Sequence, residues 1–200
     1  MGRPASIGLS AFSLLLALIA GGCGSGGGAG ETSRGSSPPS ARAVCARIPE
    51  KSVERLVARA GSRGRSALRP SASGSPQLVK CAYAGEGVHV DLNLDLAPNS
   101  LQRFDNRVVE MTQFSTGRPS TRPRPVPGVG DASSGNEGAQ WIPALDQLLA
   151  YRPGRYLIVD FTVRSASDAA NRDGAAALAR LSFPLLPRSR HPNAQRPTPG

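Results

Sequence analysis

The chain is poor in the residues from which most active sites are built. It has only two histidines and three cysteines, and aromatic residues make up 4% of it. His191 stands in a Pro- and Arg-rich C-terminal stretch, which leaves His89 as the one histidine in the central sequence. Ser and Cys nucleophiles normally need a neighbouring base such as His, and no Gly-x-Ser-x-Gly motif occurs. The composition therefore argues against a triad hydrolase.

Long apolar runs are also rare, and the clearest one spans residues 7–20. It is shorter than the about 20 residues that a transmembrane helix needs. Arg3 precedes it and small residues follow it, as in a secretory signal peptide. The segment Ala20-Gly21-Gly22-Cys23 resembles a bacterial lipobox, although Leu is the usual residue at its first position. We expect a signal peptide over residues 1–22 and a lipid on Cys23, with plain secretion as the alternative.

The other two cysteines form an even pair. With Cys23 lipidated, Cys45 and Cys81 remain in an exported domain, where disulfides persist. A zinc site is the competing interpretation, but these cysteines lack the closely spaced partner ligands of zinc sites. We expect a disulfide between Cys45 and Cys81.

Basic residues outnumber acidic residues by 24 to 14, and the formal net charge is +10. All but two of the basic residues are Arg, and they are scattered along the chain. Because export separates the protein from nucleic acid, we expect the electrostatic partner to be an anionic lipid surface, an anionic wall polymer or an envelope protein. Compositional drift in a GC-rich genome is the alternative explanation.

Composition divides the mature chain into a tether, a domain and a tail. Gly, Ser and Pro dominate residues 23–42, which predicts a disordered tether behind the lipidated cysteine. Residues 43–187 contain the periodic apolar patterns of one globular domain. Residues 188–200 contain Arg and Pro without large apolar residues, which predicts a disordered basic tail.

Apolar periodicity predicts three helices and four or five strands in the domain. The predicted helices begin near Pro49, Asn99 and Ala169. The clearest strands start at Leu78, Val88 and Tyr156. Hairpin-joined strands interleaved with helices are typical of an α+β domain. We expect an antiparallel sheet of four to five strands with about three helices packed on one face.

Several short motifs occur together along the chain. They are the lipobox at Cys23, the tether, Cys45 before an amphipathic helix, Cys81 with Tyr83 two residues later, a Gly-x-Gly-Asp segment at 128–131, and a final Ala-rich helix. In this combination the chain resembles an actinobacterial lipoprotein family of unknown function. The resemblance spans nearly the whole mature chain, and it implies an envelope-anchored domain without assigning a reaction or a ligand.

A polar row on one predicted strand and a long loop supply the candidate binding residues. Four polar residues alternate with apolar ones and predict a solvated sheet face: His89, Asp91, Asn93 and Asp95. Same-face neighbours are about 6.6 Å apart, which is too far to share one metal ion. The loop over 117–131 carries Arg118, Arg122 and Arg124, and loops on a rigid scaffold often bind partners. We expect these three arginines, with Asp91 and Asn93, to form the binding surface.

These features favour a membrane-anchored, non-catalytic binding or assembly module of the bacterial cell envelope. We expect a monomer with no cofactor and no metal site. One alternative is a carrier of a small apolar ligand or lipid, which would need a cavity. Another is a cell-wall hydrolase that uses two carboxylates.

Changing Cys23 to Ala tests the anchor. The variant has no thiol to accept the acyl chains, so we expect an unprocessed or freely secreted protein instead of one that fractionates with membranes. Mass spectrometry of the native protein should find acyl chains on its first residue. An unacylated native protein, together with unchanged fractionation of Cys23→Ala, would contradict the lipoprotein hypothesis.

Overall fold

The computed structural model describes residues 39–61, 67–114, 121–131 and 138–188. Within these residues there are four helices: α1 (Ala41–Cys45), α2 (Glu50–Arg59), α3 (Ser100–Phe114) and α4 (Asp168–Ser182). They also contain seven strands: β1 (Arg69–Gly74), β2 (Leu78–Gly85), β3 (Val88–Asp95), β4 (Arg124–Pro125), β5 (Ala139–Ile142), β6 (Gln147–Arg152) and β7 (Arg155–Val163). None of the helices in the described part of the chain is long and apolar enough to cross a membrane.

The strands form one antiparallel sheet in the order β1-β2-β3-β7-β6-β5-β4. Two meanders, β1 to β3 and β4 to β7, meet where β3 pairs with β7. That pairing runs from Val88 opposite Val163 to Asp95 opposite Tyr156. The predicted α+β class with an antiparallel sheet is confirmed.

One face of the sheet packs against α1, α2 and α4. On β7 the predicted inward residues, Leu157, Val159, Phe161 and Val163, are all buried. Helix α4 lies against β6 and β7, and its small residues let it approach the sheet closely. This layer contains the larger of the two apolar cores.

Helix α3 packs on the opposite face, so the prediction that all helices share one face is wrong. Its buried residues include Phe104, Val108 and Met111. They form a second core with residues of β5, β6 and β7, namely Ile142, Leu149, Tyr151 and Tyr156. The physical reason lies in β6, where apolar residues do not alternate with polar ones, so both faces of this strand must be covered.

The predicted number of strands is also too low, because β1 and β4 carry no apolar pattern. All six residues of β1 are exposed, and Arg, Pro, Ser and Gly are untypical of strands. Strand β4 has only two residues and lies in the region expected to be a loop. Both strands lie at the edges of the sheet, where pairing of the backbone needs little support from side chains.

The predicted disulfide between Cys45 and Cys81 is confirmed, with an S–S distance of 2.03 Å. It joins the end of α1 to the middle of β2. Helix α1 was not expected from the sequence, and it begins at Ala41, inside the range assigned to the tether. Ser40 caps it by accepting a hydrogen bond from Ala43 N at 3.3 Å. In the chain-entropy account, closing this loop stabilises the fold by roughly 4 kcal/mol.

A buried arginine ties β7 to the end of α4. Arg155 is 4% exposed, and its Nη1 donates to the carbonyl oxygens of Phe183 and Leu186, the latter at 2.8 Å. Burial, reinforced by the charges of Arg188 and Arg152, lowers the pKa of Arg155 to about 10. A cation at this position also interacts favourably with the C-terminal end of the helix dipole.

The close contact of α4 with β7 predicts the effect of one substitution. A Cβ at Gly174 would overlap the ring of Phe161. In an exposed helix Gly→Ala gains about 1 kcal/mol, but here we expect overpacking to reverse the sign and cost about 2 kcal/mol. Urea unfolding measures the change.

Phe161→Leu provides the matched test, because it shortens the side chain that a Cβ at position 174 would overlap. We expect Gly174→Ala to cost less in the Phe161→Leu background than in the native chain. Additive effects, or a stabilising Gly174→Ala, would show that α4 does not approach β7 this closely.

Candidate functional site

The structure does not bring the predicted binding residues together. Asp91 and Asn93 lie on β3 and face the α3 side of the sheet, whereas Arg124 lies on β4 and faces the α4 side. The two strands are four positions apart in the sheet, or roughly 19 Å. Arg122 is exposed on the turn before β4. Arg118 and the predicted lipidation site Cys23 lie outside the described residues.

The polar row on β3 is not a solvated face, which corrects the expectation from the sequence. Asp91 is 4% exposed, and Asp95 is also buried. Lys80 Nζ lies 2.5 Å and His89 Nε2 lies 3.2 Å from the same oxygen, Asp91 Oδ2. Asp95 is paired with Arg103 of α3 at 2.9 Å. His89 itself is exposed, as expected.

Asp160 on β7 lies directly opposite Asp91 on β3. Burial raises the pKa of Asp160 the most, the Gln147 hydrogen bond lowers it, and the negative charge of Asp91 raises it further. His89 and Lys80 oppose these increases. Asp91 Oδ1 and Gln147 Oε1 are buried, and neither has a hydrogen-bond partner among the described residues. We call Asp91 and Asp160 the acid pair.

The geometry of the acid pair limits what it can do. Asp91 is buried, and Lys80 and His89 both contact its carboxylate. Among the described residues, no three His, Cys, Asp or Glu side chains are placed to hold a metal ion. The sequence indicates Asp160 only weakly, as one acid inside an apolar strand, because its meeting with Asp91 depends on the register of β3 and β7.

A second candidate site crosses the outer surface of α2 and α4. Three adjoining hollows share lining residues: Leu56, Arg59 and Ala177 line two of them, and Arg180 and Asp173 each link another two. We call these adjoining hollows together the α2–α4 groove. Five arginines line it: Arg55, Arg59, Arg124, Arg172 and Arg180.

Positive charge dominates the α2–α4 groove. Among the described lining residues the one acid is Asp173, and Arg172 pairs with it at 3.2 Å. Arg55 is held in place by the carbonyl of Lys51 at 3.2 Å and the hydroxyl of Ser52 at 2.9 Å. Apolar side chains such as Leu56 and Leu181 lie between the arginines. The groove therefore offers separated guanidinium groups above an apolar floor.

The Gly-rich turn after β4 supports one end of this groove. Arg180 donates to the carbonyls of Gly128 at 3.1 Å and Pro127 at 3.2 Å. Gly128 has a φ of 71°, which favours glycine. The Gly-x-Gly-Asp segment thus has a structural role, and it places Arg124 beside α4. Of the five arginines, sequence reasoning identified Arg124 alone. The i, i+4 spacing of Arg55 and Arg59 is a weak signal that it missed.

Comparison with known proteins adds no relative. No protein-family model matches the chain, no curated protein matches it, and no solved structure matches its fold. The assignment of a function therefore depends on the geometry of the sites.

Two substitutions should move the pKa of Asp160 in opposite directions. Asp91→Asn removes the facing negative charge, so we expect the pKa of Asp160 to fall towards its usual range without reaching it, because burial remains. Lys80→Met removes a nearby cation, so the pKa should rise. A ¹³C NMR titration of the Asp160 carboxyl carbon measures both. An unchanged titration in both variants would contradict the pairing of Asp91 with Asp160.

Proposed function

We propose that this protein is a non-catalytic binding module of the bacterial cell envelope, anchored by a lipid on Cys23, and that its α2–α4 groove binds a linear anionic polymer. The observation that carries the proposal is the set of adjoining hollows lined by five arginines. The resemblance to actinobacterial lipoproteins agrees with an envelope location. A lipid anchor would keep the domain beside the anionic polymers and lipids of the outer membrane surface.

The chemistry of the groove favours phosphate groups as the anionic units. Guanidinium groups are planar, remain charged at neutral pH and bind phosphate oxygens in pairs. The three hollows lie along α2 and α4 and beside β4, so a chain of repeating anions that crosses them can contact several arginines at once. The apolar floor between them suits the carbon backbone of such a polymer.

The acid pair supports a hydrolase less well than the arginines support a binding module. A pair of carboxylates for glycoside cleavage must reach the two sides of a sugar, whereas Asp91 is buried and bound by Lys80 and His89. A binding role for the α2–α4 groove, on the other side of the sheet, therefore explains its cluster of arginines better than a hydrolase would.

Removing two arginines should weaken binding of poly(glycerol phosphate). We expect Arg55→Gln combined with Arg59→Gln to lower the affinity roughly tenfold, as for two exposed ionic contacts of up to about 1 kcal/mol each. The plot of log affinity against log salt concentration has a negative slope, and its magnitude should decrease by about two because two phosphate contacts are lost. Isothermal titration calorimetry at several salt concentrations measures both quantities.

The matched control removes the same charge elsewhere. Arg69 lies on the exposed edge strand β1, and Arg107 lies on α3 beyond the other face of the sheet. We expect Arg69→Gln with Arg107→Gln to leave the affinity within about twofold. An equal loss in both double variants would indicate attraction by net charge alone. Tighter binding to phosphatidylglycerol vesicles than to the polymer would favour a lipid surface as the partner.

A further inference from the structure

A groove of about 510 Å³ lies between the helical corner of α1 and α2 and the edge of the sheet. We call it the Tyr83 groove. It lies at the opposite edge of the sheet from β4, next to the disulfide. Its lining residues come from two places: the segment Arg42–Glu50, which supplies Arg42, Cys45, Ala46, Ile48, Pro49 and Glu50, and the strands β1 and β2. A volume of this size is typical of small-molecule sites.

The groove contains the polar side chain of a largely buried tyrosine. Tyr83 of β2 is 3% exposed and lines the groove. No described residue forms a hydrogen bond with its hydroxyl group. Burial raises the pKa of Tyr83, and the charge of Glu50 raises it further, so the hydroxyl keeps its proton and can donate it in a hydrogen bond.

The first turn of α2 forms part of the wall of the same groove. Pro49 precedes the helix and has no side chain that can cap it. Among backbone groups of the described chain, none accepts from the N–H groups of Glu50 or Lys51. Open N–H groups and the helix dipole make such an end favourable for an anion. The Tyr83 hydroxyl supplies an independent donor at the same place.

Two charged side chains stand at the groove. Arg42 of α1 is exposed and adds a further donor. Glu50, also exposed, is the acid that an anion would have to displace outwards. Apart from Ser71, the remaining lining residues are apolar, with Ile48, Pro49 and Pro70 among them. Donors at one side and apolar walls at the other are complementary to an amphiphile with a small anionic head.

We propose that the Tyr83 groove binds a small amphiphilic carboxylate, with the carboxylate beside the Tyr83 hydroxyl, the first N–H groups of α2 and Arg42. The apolar body of the ligand lies against Ile48, Pro49 and Pro70. This site is separate from the α2–α4 groove, and it gives the protein a second ligand of a different chemical class.

Decanoate is a suitable probe, used below its micelle concentration with the mature full-length chain. We expect its addition to shift the amide resonances of Ile48, Ser71 and Tyr83 in a ¹⁵N-resolved NMR titration. Tyr83→Phe keeps the buried ring and removes only the hydroxyl, so it should weaken binding roughly tenfold, as for one hydrogen bond to a charged group. Glu50→Gln removes a repulsive charge and should strengthen binding roughly threefold.

Two controls and a second test variant make the result decisive. Arg47→Gln removes a charge from the same corner at a residue that does not line the groove, so it should change affinity by less than about twofold. Decanol has the same body without the anion and should bind more weakly than decanoate. Arg42→Gln, an exposed substitution, should weaken binding even if Tyr83→Phe proves unstable.

Each opposite result would overturn the proposal. Equal binding of decanol and decanoate would show an apolar groove without head-group recognition. Unchanged affinity in both Tyr83→Phe and Arg42→Gln would remove the assigned donors. Resonance shifts confined to the α2–α4 groove, or no shifts at all, would show that the Tyr83 groove does not take a carboxylate.

Discussion

Strands β3 and β7 form the pairing on which the rest of the structure depends. The two strands join meanders that are far apart in the sequence, and their eight paired positions run without interruption from Val88 and Val163 to Asp95 and Tyr156. Their apolar residues on one face form the centre of the larger core. The same register fixes the position of Asp91 opposite Asp160 on the other face. A shift by one residue would exchange these faces, bringing carboxylates into the core and apolar side chains out of it.

The sequence predicts those parts of the fold in which the pattern of apolar and polar residues follows the burial of the side chains. Leu157, Val159 and Phe161 alternate with residues of the other face, and the apolar stripe of α3 recurs every three or four residues. The disulfide followed from an even number of cysteines in an exported domain. Strands β1 and β4 could not be predicted, because backbone pairing at an edge leaves no pattern in the side chains. The second helical layer was missed for a related reason, since two-sided burial of β6 is evident only when its neighbours are known.

The candidate sites were less predictable than the fold, because each is assembled from distant segments. Arg59 and Arg180 meet only when α2 packs beside α4. The Tyr83 groove needs the corner of α1 and α2 to lie over β1 and β2, and α1 itself has no recognisable signal beyond Ser40. Asp91 was identified as a binding residue because alternation suggested that it is exposed, whereas it is buried. Alternation predicts which face a residue occupies, but the burial of that face depends on what covers it.

The scarcity of aromatic residues explains why glycine and alanine are so important in this domain. Without many large rings, the space between sheet and helix is filled by bringing the backbones closer, as Gly174 does above Phe161. Near the β4 edge of the sheet, Gly130 lies against the carbonyl of Gly138, where a Cβ would overlap it. Backbone hydrogen bonds from Asp131 N to Tyr151 O and from Tyr151 N to Gly138 O fix that contact at 2.9 and 2.7 Å. These close approaches hold the turn that follows β4 against α4, so the small residues that compact the core also shape the α2–α4 groove.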